Sequence, residues 1–168
     1  MNGEATGNVG VQTPHIVSAV RASAMTWAAT GLGNYFYNSV HAARPYRGDI
    51  AEVLVFDRAL NTAELRILEN SLSAKYDIGL AEHDYYAGDT AANGDYDLDV
   101  VGIGRADSEN FVYRAGDAGF GMAAYNLADG DWLMAGHASP GNDWVVGDLP
   151  ADGKSRWERV WCVDETGD

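Results

Sequence analysis

The sequence predicts a mainly β protein: an antiparallel sandwich closed by one capped helix, then a second β-sandwich-like module. Three observations carry this. Short runs rich in Val, Ile, Tyr, Phe and Trp recur between Gly, Asn and Asp, the pattern of short antiparallel strands joined by turns. Only the segment from Asn61 to Tyr76 combines a helical apolar period with a complete start signal. After Leu80 the punctuation shifts to Gly and Asp, and several further strand-like runs follow.

The elements follow in order. His15 to Val20 reads as one strand, and Tyr35, Phe36, Tyr37 and Asn38 read as an aromatic edge strand fed by the loop Thr30, Gly31, Leu32, Gly33. Gly48 to Phe56 is the clearest strand of the first half. In the helix, Asn61 caps the first-turn amides, Glu64 reaches back, and Leu60 and Leu65 occupy the positions of a hydrophobic staple. Leu65, Leu68, Leu72 and Tyr76 form its expected apolar stripe, and Asp77 and Gly79 mark its end. Strands are then expected at Asp97 to Gly104, Phe111 to Arg114, Gly119 to Tyr125, Trp132 to Gly136 and Arg156 to Val163. This gives a first unit over residues 1–80, closed by helix 61–76, and a second β-rich module over 81–168.

Composition bounds the function. A chain of 168 residues with 46% hydrophobic and 21% charged residues has the apolar surface for a folded core. Its formal net charge of -14 repels phosphate backbones and anionic headgroups, which argues against nucleic acid and bare membrane as partners. The same acids suit a solvated surface or a cation. Cys162 is the single cysteine, so no intrachain disulfide or thiolate cluster can form, and its setting among Val160, Trp161 and Val163 reads as a strand interior. No run approaches the roughly 20 apolar residues of a membrane span. Residues 1–10 lack the basic start and apolar core of a signal peptide, so any secretion address is expected outside this chain.

The string from Tyr46 to Ile78, YRGDIAEVLVFDRALNTAELRILENSLSAKYDI, resembles the last strand and trailing helix of bacterial laminin-G-like, concanavalin-A-like jelly-roll domains. Gly48, Asp49, Ile50, Glu52, Val55, Asp57, Ala59, Leu60, Lys75 and Tyr76 match that pattern as they stand. From Asp97 to Asp168, DVVGIGRADSEN, DGDWLMAGH and RVWCVDETGD resemble a β-rich module that follows such sandwiches in large secreted bacterial proteins. The resemblance implies an incomplete jelly-roll-like sandwich lacking its opening strands, a truncated second module, an extracellular or cell-surface location, and a binding or adhesive role. It carries over no site residue.

Several candidate sites stand out. Asp95, Asp97 and Asp99 alternate with Tyr96, Leu98 and Val100, so on one extended strand their carboxylates would share a face. They are the candidate calcium ligands, with Asp89, Asn93 and the Gly94 turn as added oxygen donors, although the spacing is not that of an EF-hand. Glucanases of the concanavalin-A-like fold use alternate Glu, Asp and Glu on a strand, and the all-Asp string resembles them only loosely. His15, His41, His83 and His137 show no zinc spacing, no Ser lies in a nucleophile elbow, and Gly102 and Gly104 read as strand or bulge positions.

Aromatics are the stronger lead, because Trp and Tyr stack on sugar faces and offer a polar handle. Trp27, Tyr35 and Tyr37 flank a Gly-rich loop, and Trp144 lies among Gly, Asn and Asp. Trp132, Trp157 and Trp161 read more readily as core. The expected function is a non-catalytic module contacting glycan, extracellular matrix or a surface protein, with calcium as the one cofactor considered. The alternatives are a structural spacer without a ligand and a fragment related to glycoside hydrolases.

Overall fold

The computed structural model describes residues 13–20, 35–36, 40–41, 48–117, 119–139, 141, 144–145, 151–154 and 156–167. The chain divides into two units, one of Val20–Ala59 and one of Met1–Ala19 with Leu60–Asp168. In the smaller unit, β1 (Tyr35–Phe36) pairs antiparallel with β2 (Val40–His41), so the expected aromatic edge strand is present in part. Gly48 to Phe56 behaves otherwise: residues 49–56 belong to no ladder, and Ile50, Val53, Leu54, Val55 and Phe56 are all exposed. High β propensity measures fit to a pleated, half-buried surface, and with neither face covered the residues alone do not make a strand. His15 to Val20, where Ile16 is buried, likewise lies outside any ladder.

The larger unit begins with α1 (Thr62–Tyr76) and two 3-10 turns, Ala87–Asp89 and Ala91–Asn93. There follow β3 (Leu98–Arg105), β4 (Phe111–Val112), β5 (Arg114–Asp117), β6 (Phe120–Ala123), β7 (Trp132–His137), β8 (Trp144–Val145), β9 (Arg156–Trp157) and β10 (Trp161–Thr166). A four-stranded sheet runs β10-β7-β3-β4, with β5–β6 and β8–β9 as separate two-stranded ribbons, all antiparallel. The described residues are thus mainly antiparallel strands with one α-helix, and each strand expected after Leu80 has a counterpart within a few residues.

The helix starts where its signals place it. Glu64 N donates to Asn61 Oδ1 and Asn61 N donates to Glu64 Oε2, both at 2.9 Å, so the capping box is complete. Asn61 Nδ2 donates to Phe111 O and Thr62 N donates to Asn110 Oδ1, which ties the helix start to the β3–β4 connection. Asp77 ends it in the left-handed region, at φ 50°.

The buried helix face is not the expected one. Ala63, Glu69, Asn70, Ser73 and Ala74 are buried, whereas Leu65, Leu68, Leu72 and Tyr76 stay partly exposed. Packing against β3 selects the small face, because Gly102 leaves room for the Met134 side chain and for Ile67 of α1. A Cβ on Gly102 would collide with Met134 Sδ, and one on Gly104 would collide with the Trp132 ring. These glycines are therefore sites of close approach beneath two large side chains of β7. Ala74, Tyr86, Val100 and Met134, with Ile67, Tyr85 and Tyr96 against them, form the core on this side.

Strand alternation assigns the two faces. Val100, Gly102, Gly104, Trp132, Met134 and Gly136 look toward α1 and the 3-10 turns; Ile103, Ala135, His137 and Trp161 look the other way. Ile103 and Ala135 are fully buried on that second face, where the β5–β6 ribbon packs on β3.

Candidate functional site

The second face carries the most chemically organised cluster among the described residues. Trp161 and His137 are ladder partners at the ends of β10 and β7, so their side chains share a face and meet edge to face, with ring centroids 4.8 Å apart. Phe120, the first residue of β6, stacks on Trp161 at 4.6 Å. Its neighbour Gly119 lies against Trp157: a Cβ there would sit 3.5 Å from the indole. Phe120 and Trp161 thus form a stacked aromatic row, with Trp157, 46% exposed, set against the neighbouring Gly119 at its outer side.

Polar groups meet the inner end of this row. His137 is 1% exposed, with Nε2 at 2.7 Å from Asp99 Oδ2 and Nδ1 at 2.7 Å from the Ser139 carbonyl. A carbonyl can only accept, so Nδ1 donates to Ser139 O, and Nε2 faces the Asp99 carboxylate, which leaves both ring nitrogens engaged by protein groups. Arg159 NH1 lies 3.6 Å from the same Asp99 oxygen, and Arg159 Nε donates to Gly141 O at 3.3 Å.

The backbone that presents Asp99 is unusual. β3 and β7 shift register between Leu98 and Val101, and Asp99 sits in that irregularity at φ 49°. A bulge re-aims the side chain it carries, and a left-handed non-glycine residue costs about 1 kcal/mol or more unless its surroundings hold it there. Asp95 is also left-handed, at φ 60°, and precedes β3. The chain is therefore not extended through Asp95, Asp97 and Asp99, as the alternation of acids led one to expect; Asp95 is exposed, Asp97 is half-buried, and Asp99 turns to His137. Among the described residues no group of three or more His, Cys, Asp and Glu side chains is arranged around a metal-sized space.

Of the aromatic candidates, Trp27 and Tyr37 lie outside the described residues, and Tyr35 is in β1, paired with His41. Trp144 is the ladder partner of Trp157, which places it in the ribbon that carries the exposed end of the row. Sequence reasoning set Trp157 and Trp161 aside as core and passed over His137, Phe120 and Arg159. Neither Phe120 nor the Asp99–His137 pair, 38 residues apart, has a local signature.

Two other clusters are structural in character. Arg66 donates to Tyr85 Oη and approaches His83 Nε2, each at 3.3 Å, while Tyr85 stacks on Trp132 at 4.4 Å. On the helix side of the sheet, burial and then the carboxylate of Asp84 push the Asp89 carboxyl up to about 6. Burial also raises Asp84 and the Tyr86 hydroxyl, which donates to Tyr96 O at 2.6 Å. Asp164, whose charge contributes to all three shifts, accepts from Ala87 N at 2.6 Å.

In comparisons with known proteins the chain matches no family model, no curated protein and no solved structure.

Proposed function

We propose that this chain is a non-catalytic carbohydrate- or matrix-binding module of a larger exported bacterial protein, with its ligand held on the Trp157–Phe120–Trp161 row. The observation that carries the reading is this cluster, in which Phe120 stacks on Trp161, Trp161 meets His137, His137 is bonded to Asp99, and the exposed Trp157 lies against Gly119. Sugar recognition needs this combination: an apolar ring face to stack on and a polar group set to meet hydroxyls. The engagement of both His137 nitrogens supports binding over acid–base catalysis, and the resemblance of Tyr46 to Ile78 to laminin-G-like jelly rolls agrees with adhesion outside the cell.

The test is a glycan and matrix-protein array with the full chain, followed by titration calorimetry on each hit. Trp157→Ala is expected to weaken binding by at least tenfold, about the worth of one well-stacked aromatic, while leaving the melting temperature within a few degrees. Binding that survives this substitution unchanged would remove the row as the site. No binding to any array member would favour a spacer without its own ligand.

A further inference from the structure

The polar end of the row says which ligand it suits. Both contacts of the Asp99 carboxylate, from His137 Nε2 and Arg159 NH1, fall on Oδ2. Neither involves Oδ1, and the Asp99 side chain is 40% exposed although its partner His137 is buried. The carboxylate is therefore gripped by one oxygen and presents the other, on a backbone whose bulge and left-handed φ aim it. Arg159, 14% exposed, has its guanidinium turned to Asp99 and to the Gly141 carbonyl, so this cation is already committed to protein acceptors.

We propose that Asp99 Oδ1 is the ligand-selecting acceptor of this face, and that the ligand class is a neutral, hydroxyl-rich pyranose, not a uronate or a sulfated sugar. This rests on the glycan-binding reading above. An oligosaccharide that rests on Trp157 and extends past the Phe120–Trp161 stack and His137 reaches the Asp99 carboxylate, where a hydroxyl forms a charge-assisted hydrogen bond. A carboxylate or sulfate at the same edge meets Asp99 with like charge, on a chain whose net charge is -14. His137 acts as a positioning residue: its two hydrogen bonds, to Asp99 and to Ser139 O, hold the acceptor in place without touching ligand.

The decisive variant is Asp99→Asn. It keeps the size of the side chain, and its amide oxygen can take the place of Oδ2 against His137 Nε2; the outward atom then becomes an amide nitrogen, a donor where an acceptor stood. The experiment titrates the full chain with neutral oligosaccharides of glucose, mannose, galactose and xylose and, separately, with oligogalacturonate. The wild-type chain is expected to bind at least one neutral series and to leave oligogalacturonate unbound. Asp99→Asn is expected to lose about tenfold in affinity for the bound series, with its melting temperature near that of wild type. Deoxygenated forms of the bound sugar, each lacking one hydroxyl, supply the second readout: one of them loses affinity for wild type but not for the Asn variant. Asp99→Ala, which strands the buried His137, serves only as a stability control. Tighter binding of oligogalacturonate than of any neutral series overturns the proposal, as does an Asn variant that binds like wild type, and both leave glycan binding itself standing. If no sugar binds the wild-type chain, the glycan reading and this one fall together.

Discussion

Asn70 joins the helix to the segment that follows it, and replacing it separates two kinds of stabilisation. Its side chain is 1% exposed; Nδ2 donates to Arg66 O at 2.9 Å and to His83 O at 2.8 Å, and Oδ1 accepts from Tyr85 N at 2.7 Å. Arg66 O sits four residues back in the same helix and keeps that environment when the side chain is lost. His83 O and Tyr85 N do not, and each unsatisfied buried group costs about 1 to 3 kcal/mol. Because both of these hydrogen bonds are only part-buried, Asn70→Ala is expected to cost about 2 to 4 kcal/mol in all. Urea unfolding followed by far-UV circular dichroism reads this as a lower midpoint at unchanged slope. Asn70→Asp goes further, since it keeps the bond from Tyr85 N but turns a second acceptor toward two carbonyls. A loss below about 1 kcal/mol in the Ala variant, or an Asp variant more stable than the Ala one, would show that hydrogen bonds do not hold this segment to the helix.

Two further predictions concern the four-stranded sheet and the 3-10 turn beside it. Gly104→Ala places a methyl group against the Trp132 ring and is expected to destabilise by about 1 to 3 kcal/mol, whereas Gly130→Ala, with open space around it but φ 101°, tests backbone strain alone; a Gly104→Ala variant as stable as wild type would contradict the close approach. Asp89 supplies a pH dependence whose sign follows from its folded value of about 6 against 3.8. The folded chain holds this proton more tightly, so the stabilisation is complete below about pH 4, declines as pH rises toward 6 and is absent above it. A shift of this size corresponds to about 3 kcal/mol without screening, and solvent at this half-buried side chain reduces it to about 1 kcal/mol. Asp89→Asn is therefore expected to raise the urea midpoint at pH 7 and flatten its dependence between pH 4 and 6, and no gain at pH 7 would count against burial as the cause.

The legible parts of the fold were those with local causes. The capping box from Asn61 to Glu64 needs four consecutive residues, and the β3, β7 and β10 runs announce themselves by β-branched and aromatic residues between turn signals. The burial of α1 was not legible, because periodicity reports which helix face is apolar and not which one a neighbour can approach. Gly102 on β3 leaves room for Ile67, on the helix side where Ala63, Asn70 and Ala74 are buried, and this outweighs the stripe from Leu65 to Tyr76. Gly48 to Phe56 failed for the complementary reason: its residues favour a strand, but nothing in its own sequence supplies the neighbouring strand that makes one.

Asp99 shows how a sequence signal can point to the right residue through the wrong geometry. Alternation with Asp95 and Asp97 marked it as one of three carboxylates on a common face, a reading that requires an extended backbone at each position. The left-handed turns at Asp95 and Asp99 break that requirement, and the register shift in β3 carries Asp99 to His137. What the alternation did register is that an acid interrupts the run Leu98, Val100, Val101. Here that carboxylate, though exposed, is held by partners from β7 and from the approach to β10, far away in sequence. Its chemistry therefore follows from the oxygen those partners leave uncontacted, and because His137 also packs edge to face on Trp161, a substitution of His137 is expected to alter both the acceptor and the inner end of the aromatic row.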